Sequence, residues 1–491
     1  MPNVQLSNNQ LLRTSSFVNN HWLGSNNKVF DVINPATNHL ITSVADAGEK
    51  ETIDAIAAAE TSFTHWKNTT PKERAGILKD WFYLVLKNKE DLATLLTLEQ
   101  GKPLMEARAE VEYGAGFIEW FAEECKRIYG DVIPSPVADR RMITIKQPIG
   151  VVAAITPWNF PIAMITRKIA PAIACGCTVV LKPSSLTPLS ALALAYLAAE
   201  AGMPEGVLNV IVSSNSREIG KVLTTHPTVK KISFTGSTET GRQLMEQSAG
   251  TVKKLSLELG GNAPVIIFND ADINKAVAGT LASKYRNAGQ TCVCANRIFV
   301  QKDIYPTFLK AYVDAVAKLK VGNGLDEGVN IGPLVNSAAV KKVKTLIDDA
   351  IAKGAELVYE NEAATGSGCF VRPTIVANWT PEMQMSQEEI FGPVSAIYVF
   401  DNVTDAIALA NNTIYGLAAY FFTSDINKAW RVAEALEYGI IGINEGIISF
   451  PEAPFGGVKQ SGFGKEGSYY GIEEYLVTKY LCLGGLEKPA F

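Results

Sequence analysis

Histidine, one-sided charge and long apolar runs are all scarce in this chain, and each shortage excludes something. The four histidines, His21, His39, His65 and His226, sit in no catalytic or metal-binding pattern. A Cys-His hydrolase and a histidine-ligated metal centre are therefore not expected. The formal net charge of -5 over 491 residues is interspersed rather than blocked, so no basic footprint for nucleic acid exists. No apolar run approaches the roughly 20 residues that span a bilayer. The polar stretch from Met1 to Ser16 lacks the basic-then-apolar order of a secretory signal. Cys125, Cys175, Cys177, Cys292, Cys294, Cys369 and Cys482 follow no disulfide framework and read as reduced thiols of a cytoplasmic protein. Neither Cys175/Cys177 nor Cys292/Cys294 has the two-residue spacer of a zinc site, so no metal is expected. A small-molecule partner remains.

Hydrophobic residues make up 47% of the chain and charged ones 19%, enough apolar material for two or three domains. Residues 50 to 125 read as amphipathic helices, with Ile53, Ile56 and Ala57 and then Leu92, Leu95 and Leu96 at helical spacing. Short β-branched runs follow at Val151 to Ile155, Thr178 to Leu181, Val207 to Val212 and Lys231 to Phe234. Helical stretches alternate with them at Ile162 to Ala174, Leu189 to Ala201 and Arg217 to Leu223. That alternation predicts a parallel sheet covered on both faces. A second α/β unit begins at Pro264 to Phe268 and continues through a helix at Ile273 to Tyr285, a strand at Arg297 to Val300 and a helix at Tyr305 to Leu319. No low-complexity linker separates the two, so they are expected to pack closely.

At the end of one strand, Phe234-Thr235-Gly236-Ser237-Thr238-Glu239-Thr240-Gly241 opens a helix, where free amides and the helix dipole favour phosphate. Alone this is weak evidence, because glycines beside a helix start commonly mark a turn. A P-loop shares the Gly236 to Gly241 spacing, but Arg242 and Gln243 replace the Lys and Ser/Thr it needs. Upstream, Lys182-Pro183-Ser184-Ser185 ends another strand. It places a cation and hydroxyls at the ribose edge of a doubly wound site, although the serines could equally cap a helix. An NAD site usually holds a carboxylate there, whereas Ser185 leaves room and Lys182 adds charge. NADP is the favoured cofactor, with NAD second.

Six segments in order then carry a resemblance: Pro157-Trp158-Asn159-Phe160-Pro161, Phe234-Thr235-Gly236-Ser237-Thr238, Leu257-Glu258-Leu259-Gly260-Gly261, Gly289-Gln290-Thr291-Cys292, Glu389-Ile390-Phe391-Gly392-Pro393 and Pro454-Phe455-Gly456-Gly457. Together they resemble the NAD(P)-dependent aldehyde dehydrogenase superfamily over nearly the whole chain. The resemblance implies an α/β fold: a Rossmann-type cofactor domain from 1-124 and 147-259, a second α/β catalytic domain from 260-474, and a small β oligomerisation element from 125-146 and 475-491. A homodimer or homotetramer follows from that element, because an apolar terminal strand near Val477 to Leu483 needs cover.

The chemistry can be built beside the resemblance. Hydride leaves an aldehyde carbon readily only when an adjacent oxyanion expels it, so a nucleophile must first add, and a cysteine thiolate suits this at neutral pH. Cys292 is that nucleophile, and the other cysteines default to small buried apolar residues. The Asn159 amide and the Cys292 N–H would hold the oxyanion, although Asn159 alone could be a turn residue before proline. Glu258, beside its two glycines, would activate water to hydrolyse the thioester. The family places Thr156, Pro157, Trp158, Lys182, Ser184, Ser185, Gly236, Ser237, Glu389 and Phe391 at the cofactor, with Glu389 on the nicotinamide ribose.

Arg167, Arg286 and Ser449 resemble the carboxylate clamp of succinate-semialdehyde dehydrogenases. The expected reaction is thus oxidation of succinate semialdehyde. Glutarate semialdehyde or broad small-aldehyde oxidation is the alternative within the enzyme class, and a non-catalytic descendant the alternative outside it. Cys294 resembles the second thiol of a redox switch with Cys292, and it could equally be a small loop residue. One departure stands out: relatives carry a Glu in a Tyr-Leu-Glu-x-Lys context, thought to relay protons, where this chain has Val477. No relay is expected at that position.

Overall fold

The computed structural model describes residues 5–24, 28–362 and 367–487. Its first sheet contains five parallel strands in the spatial order Lys254–Glu258, Val229–Thr235, Val151–Ile155, Thr178–Lys182 and Leu208–Val210. By sequence rank the order is 5-4-1-2-3, the doubly wound arrangement of a Rossmann half. Val151–Ile155 and Thr178–Lys182 are almost wholly buried because helices cover both faces. Ala163–Cys175, Pro188–Glu200, Ser216–Thr225 and Thr238–Ser248 supply the crossovers. Four earlier helices, Glu49–Trp66, Pro71–Lys87, Lys89–Gln100 and Leu104–Glu124, answer to the amphipathic spacing of residues 50 to 125.

Element ends shift slightly from the sequence expectation. The helix from Tyr305 stops at Val316 rather than Leu319: Lys318 and Leu319 donate to Ala315 and Val316, three residues back, so the last turn tightens. The strand expected over Val207 to Val212 shortens to Leu208–Val210, although Ile211 N–H still bonds Leu181 (2.9 Å).

The second sheet orders Thr374–Ala377, Val394–Phe400, Ala295–Gln301, Ala263–Ile267, Ala418–Phe422 and Ile440–Ile443 in parallel, with Glu356–Glu360 antiparallel at one edge. A third sheet joins Leu476–Leu483, Arg141–Pro148 and Val132–Ile133, all antiparallel. Its outermost predicted residues, 488–491, lie outside the described residues. The Gly462–Phe463 strand, expected in the second unit, instead pairs with Lys254–Glu258 of the first sheet.

Residues 259–262 connect Lys254–Glu258, the last parallel strand of the first sheet, to Ala263–Ile267, the first strand of the second. The carboxyl edge of one sheet therefore faces the amino edge of the other. Gly261 permits this approach, since a Cβ there would stand 2.4 Å from the Cys292 carbonyl oxygen.

Candidate active site

In a doubly wound sheet, ligands bind where the strand order reverses, beyond the carboxyl ends. Here that point lies between Val151–Ile155 and Val229–Thr235, and a cavity of about 340 Å³ opens there. Pro157, Trp158, Asn159, Gly236 and Ser237 form one wall, and Cys292, Lys342, Glu389 and Phe391 the other. Trp158 meets Phe391 edge to face at 5.5 Å, with Phe391 held at φ 55°. Ser237 caps the Thr238–Ser248 helix by accepting from Thr240 N–H (3.2 Å), so the first-turn amides face the cavity's rim.

The residues fit a nicotinamide dinucleotide. Thr156 Oγ1 and Thr235 Oγ1 are buried without a partner at the two strand ends, and Gly236 admits no side chain, since a Cβ would stand 2.4 Å from the Phe234 ring. Glu389 receives Gly261 N–H (3.4 Å), and burial pushes its carboxyl up to about 7. Lys182 stands apart from the described cavity: its Nζ bonds Ser216 Oγ (2.8 Å) and Pro183 O (3.0 Å), and burial lowers it to about 8. Ser184 accepts Leu186 N–H (3.2 Å), and Ser185 beside it is half-buried.

Cys292 sits in the turn before the Ala295–Gln301 strand. Three successive left-handed residues, Asn287, Ala288 and Gly289, shape its approach, and a Cβ on Gly289 would meet the Gly392 oxygen at 2.2 Å. Hydrogen bonds then tie this loop to the Asn159 loop. Asn287 Nδ2 donates to Asn159 O (2.9 Å), Lys102 Nζ donates to the same oxygen (2.8 Å), and Asn159 Nδ2 donates to Gln290 O (3.1 Å). One amide hydrogen of Asn159 remains free for a ligand. Burial pushes the Cys292 thiol up to about 12, opposed by Arg167 and Arg286 and aided by Glu389 and Glu258.

Glu258 ends its strand with both carboxylate oxygens buried and unpartnered. Burial, then the neighbouring charge of Glu466, holds its carboxyl well above the usual range. Glu466 is itself clasped by Arg167 and Lys168. Sequence reasoning missed Glu466, which lies some two hundred residues downstream in an unremarkable Lys-Glu-Gly. The Tyr-Leu-Glu-x-Lys position it inspected instead belongs elsewhere: Val477 is exposed and paired with Gln147 in the third sheet, so it cannot bear on the site. The carboxylate facing Glu258 is Glu466.

The two arginines expected to act alike do not look alike. Arg167 is fully buried, ion-paired to Glu466 and stacked 4.3 Å over Phe455, with its Nη2 lacking a hydrogen-bond partner. Burial opposes its charge, but Glu466 outweighs this and holds it above the usual range. Arg286 is half-buried, lies 5.3 Å over Phe160 and enters no ion pair among the described residues. Both influence Tyr113 of the Leu104–Glu124 helix: burial raises its phenol, and the charges of Arg167 and Arg286 oppose this. Tyr113 is a second residue the sequence offered no motif for. Ser449 is half-buried in the loop after the Ile440–Ile443 strand. Cys294 turns away into the core, where its sulfur lies 3.4 Å from Lys284 Nζ.

Comparison with known proteins agrees with this geometry. The aldehyde dehydrogenase family model matches residues 22–481. The NADP(+) succinate-semialdehyde dehydrogenase GabD of Escherichia coli K12 is 56% identical over 98% of this chain and 100% of its own length. Glutarate-semialdehyde dehydrogenase of Pseudomonas putida is 54% identical, again over 98% and 100%. A crystal structure of an NADP-dependent enzyme of E. coli superposes with a TM-score of 0.96 at 56% identity, covering 98% of this chain and 100% of that one. With its thiol, its carboxylate and its nucleotide cleft assembled as described, this chain belongs to the aldehyde dehydrogenase family and is an oxidoreductase using a nicotinamide cofactor.

Proposed function

We propose that the protein oxidises succinate semialdehyde to succinate and favours NADP over NAD. The observation carrying the substrate reading is a pair of cations whose charge bears on the Cys292 thiol: Arg286 enters no ion pair among the described residues, and Arg167 has a buried Nη2 without a hydrogen-bond partner. A carboxylate at the far end of a short aldehyde would satisfy both, with Ser449 adding a hydroxyl. The E. coli relative carries that substrate in its name.

In this reading Cys292 Sγ adds to the aldehyde carbon, and the free Asn159 amide hydrogen and the Cys292 N–H receive the oxyanion. Trp158, Gly236, Ser237, Glu389 and Phe391 would hold a nicotinamide, which when bound would supply the hydride acceptor. Hydride loss leaves a thioester on Cys292. Glu258 then takes a proton from water as its oxygen attacks the thioester carbon and the C–S bond breaks. A carboxyl group raised by burial is suited to this, because its pKa moves toward working pH. Glu466, held by Lys168 and Arg167, is the next carboxylate to which that proton can pass. Oxidation and hydrolysis together release two protons per aldehyde.

NADP preference rests on Ser185 and Lys182, which put no carboxylate at the ribose edge. The test is reduced-cofactor formation with succinate semialdehyde, glutarate semialdehyde and propanal, each with NADP and NAD, against Cys292→Ala. Preference for propanal would sink the clamp, and equal use of NAD would sink the cofactor reading. Glutarate semialdehyde stays as second reading because a 54% identical relative bears its name, and one methylene discriminates by only about 1–3 kcal/mol. We also place the protein in the cytoplasm as a homodimer or homotetramer through the third sheet; sedimentation as a monomer would overturn the assembly. Peroxide would join Cys292 and Cys294 as a disulfide with release of two waters, once Cys294 leaves Lys284. Dithiothreitol-reversible inactivation that persists in Cys294→Ala would refute this pairing.

A further inference from the structure

Two neighbouring strands of the first sheet repeat one pattern: Lys231-Ile232-Ser233-Phe234-Thr235 and Lys254-Leu255-Ser256-Leu257-Glu258. Their parallel register sets Lys231 against Lys254, Ser233 against Ser256 and Thr235 against Glu258. Because side chains alternate across a strand, one face carries all six polar groups, while Ile232, Phe234, Leu255 and Leu257 pack on the other. The adjacent Val151–Ile155 strand is apolar on both faces. The fold alone therefore does not ask for a polar face, and burying one costs free energy.

The seam has a closed end and an open end. Ser233, Lys231 and Ser256 are buried, whereas the side chains of Glu474 and Lys254 are 21% and 35% exposed. Lys231 Nζ bonds Ser256 Oγ, Ser256 Oγ donates to Glu474 Oε2 (2.9 Å), and Lys231 Nζ lies 3.4 Å from the same oxygen. Tyr475 OH donates to Ser233 Oγ (3.2 Å), and its ring lies 5.1 Å from Lys231 Nζ. Burial lowers Lys231 to about 8, within reach of proton exchange near neutral pH. At the closed end stands Glu258 beside the Glu466–Lys168 pair. Ser256 and Glu258 are two residues apart on one face, about 7 Å along the strand, beyond the roughly 5.6 Å that one bridging water spans; the connection runs instead through Glu466, whose charge bears on both Glu258 and Tyr475. Gly464 covers this stretch with backbone only, since a Cβ there would lie 2.9 Å from Ser256 Oγ.

We propose that the polar seam between these two strands conducts the deacylation proton from Glu258 to solvent, with Ser256 and Lys231 as relay groups and Glu474 as the exit carboxylate. It rests on Glu258 being the deacylation base. The water O–H bond breaks as its oxygen bonds the acyl carbon, the proton passes from Glu258 through Glu466 into the seam, and Glu474 yields it to bulk water beside Lys254.

Hydrolysis of p-nitrophenyl acetate without any nicotinamide tests this in the full-length protein. Acylation of Cys292 gives a burst of nitrophenolate, and the slower steady phase reports deacylation per burst-counted site, which removes misfolded protein from the comparison. Glu474→Gln and Ser256→Ala should keep the burst and slow the steady phase about tenfold, less than the roughly 100-fold expected for Glu258→Gln. Glu474→Asp should restore most of the rate, and Glu474→Gln should enlarge the solvent deuterium isotope effect on deacylation. Glu473→Gln, which removes a neighbouring carboxylate bound to Lys146, should change nothing. If Glu258→Gln is slow but Glu474→Gln and Ser256→Ala deacylate at the wild-type rate, the seam is overturned and the base stands. If Glu258→Gln deacylates normally, the base and the seam fall together.

Discussion

The strands Lys254–Glu258 and Ala263–Ile267 are consecutive in the chain and paired on both sides in their sheets, yet they are built differently. The first alternates polar and apolar side chains and ends in an unpartnered carboxylate. The second, Ala-Pro-Val-Ile-Ile, is apolar throughout. Both satisfy a covered parallel sheet, so packing does not explain the difference. What distinguishes them is direction: the first points its carboxyl end at the Cys292 loop, and the second starts there and runs away. In the first strand the buried carboxylate stands at the end that faces the Cys292 loop.

The largest effect should come from removing what the polar strand aims at. Cys292→Ala should abolish cofactor reduction while leaving the fold intact, as read by activity and by the thermal transition. Next, transplanting charge should break the apolar strand: Val265→Lys places an uncompensated ammonium in a dry core, costing several kcal/mol, and should lower the melting temperature by ~10 °C or more. By contrast, Lys231→Met on the polar side should melt within about 3 °C of wild type, because a buried lysine gives little net stability. A loss as large as that of Val265→Lys would erase the contrast.

A smaller and more specific effect belongs to Arg286. Arg286→Gln should raise KM for succinate semialdehyde about 10- to 100-fold, the worth of a charge-assisted hydrogen bond of roughly 1.5–3 kcal/mol. It should spare propanal, and equal losses on both substrates would mean a structural role. The subtlest test concerns the thiol's protonation. With Cys292 pushed up to about 12, the thiolate fraction grows tenfold per pH unit below that value. Iodoacetamide labelling of the cofactor-free protein should therefore climb without a plateau between pH 7 and 10, and a plateau near neutrality would show that Arg167 and Arg286 outweigh burial.

Much of this was legible before folding. The strand–helix alternation located four of the five parallel strands to within a few residues, because most parallel strands are apolar runs whereas crossover helices need length; Lys254–Glu258, which alternates polar and apolar, was not among them. The motifs singled out Cys292, Glu258 and Asn159, and the fold brings Asn159 and Cys292 to one cavity with Glu258 near enough for its charge to bear on the thiol. Glu466 was not legible. Its role depends on Arg167 and Lys168 from a helix some three hundred residues earlier, and nothing local to Lys-Glu-Gly announces it. The same holds for Tyr113, an ordinary helical tyrosine until the charges of Arg167 and Arg286 bear on its phenol.

By itself the sequence determined the periodicities and turns, and through them most strands and helices of the two sheets and the loops that meet at the cavity, since each depends on residues adjacent in the chain. Only the tertiary structure decided which charges meet. It committed Arg167 to Glu466, left Arg286 without an ion pair among the described residues, turned Cys294 toward Lys284 and set Glu466 against Glu258. Electrostatic pairing depends on distance and burial in space, and the groups concerned come from segments that the chain keeps far apart.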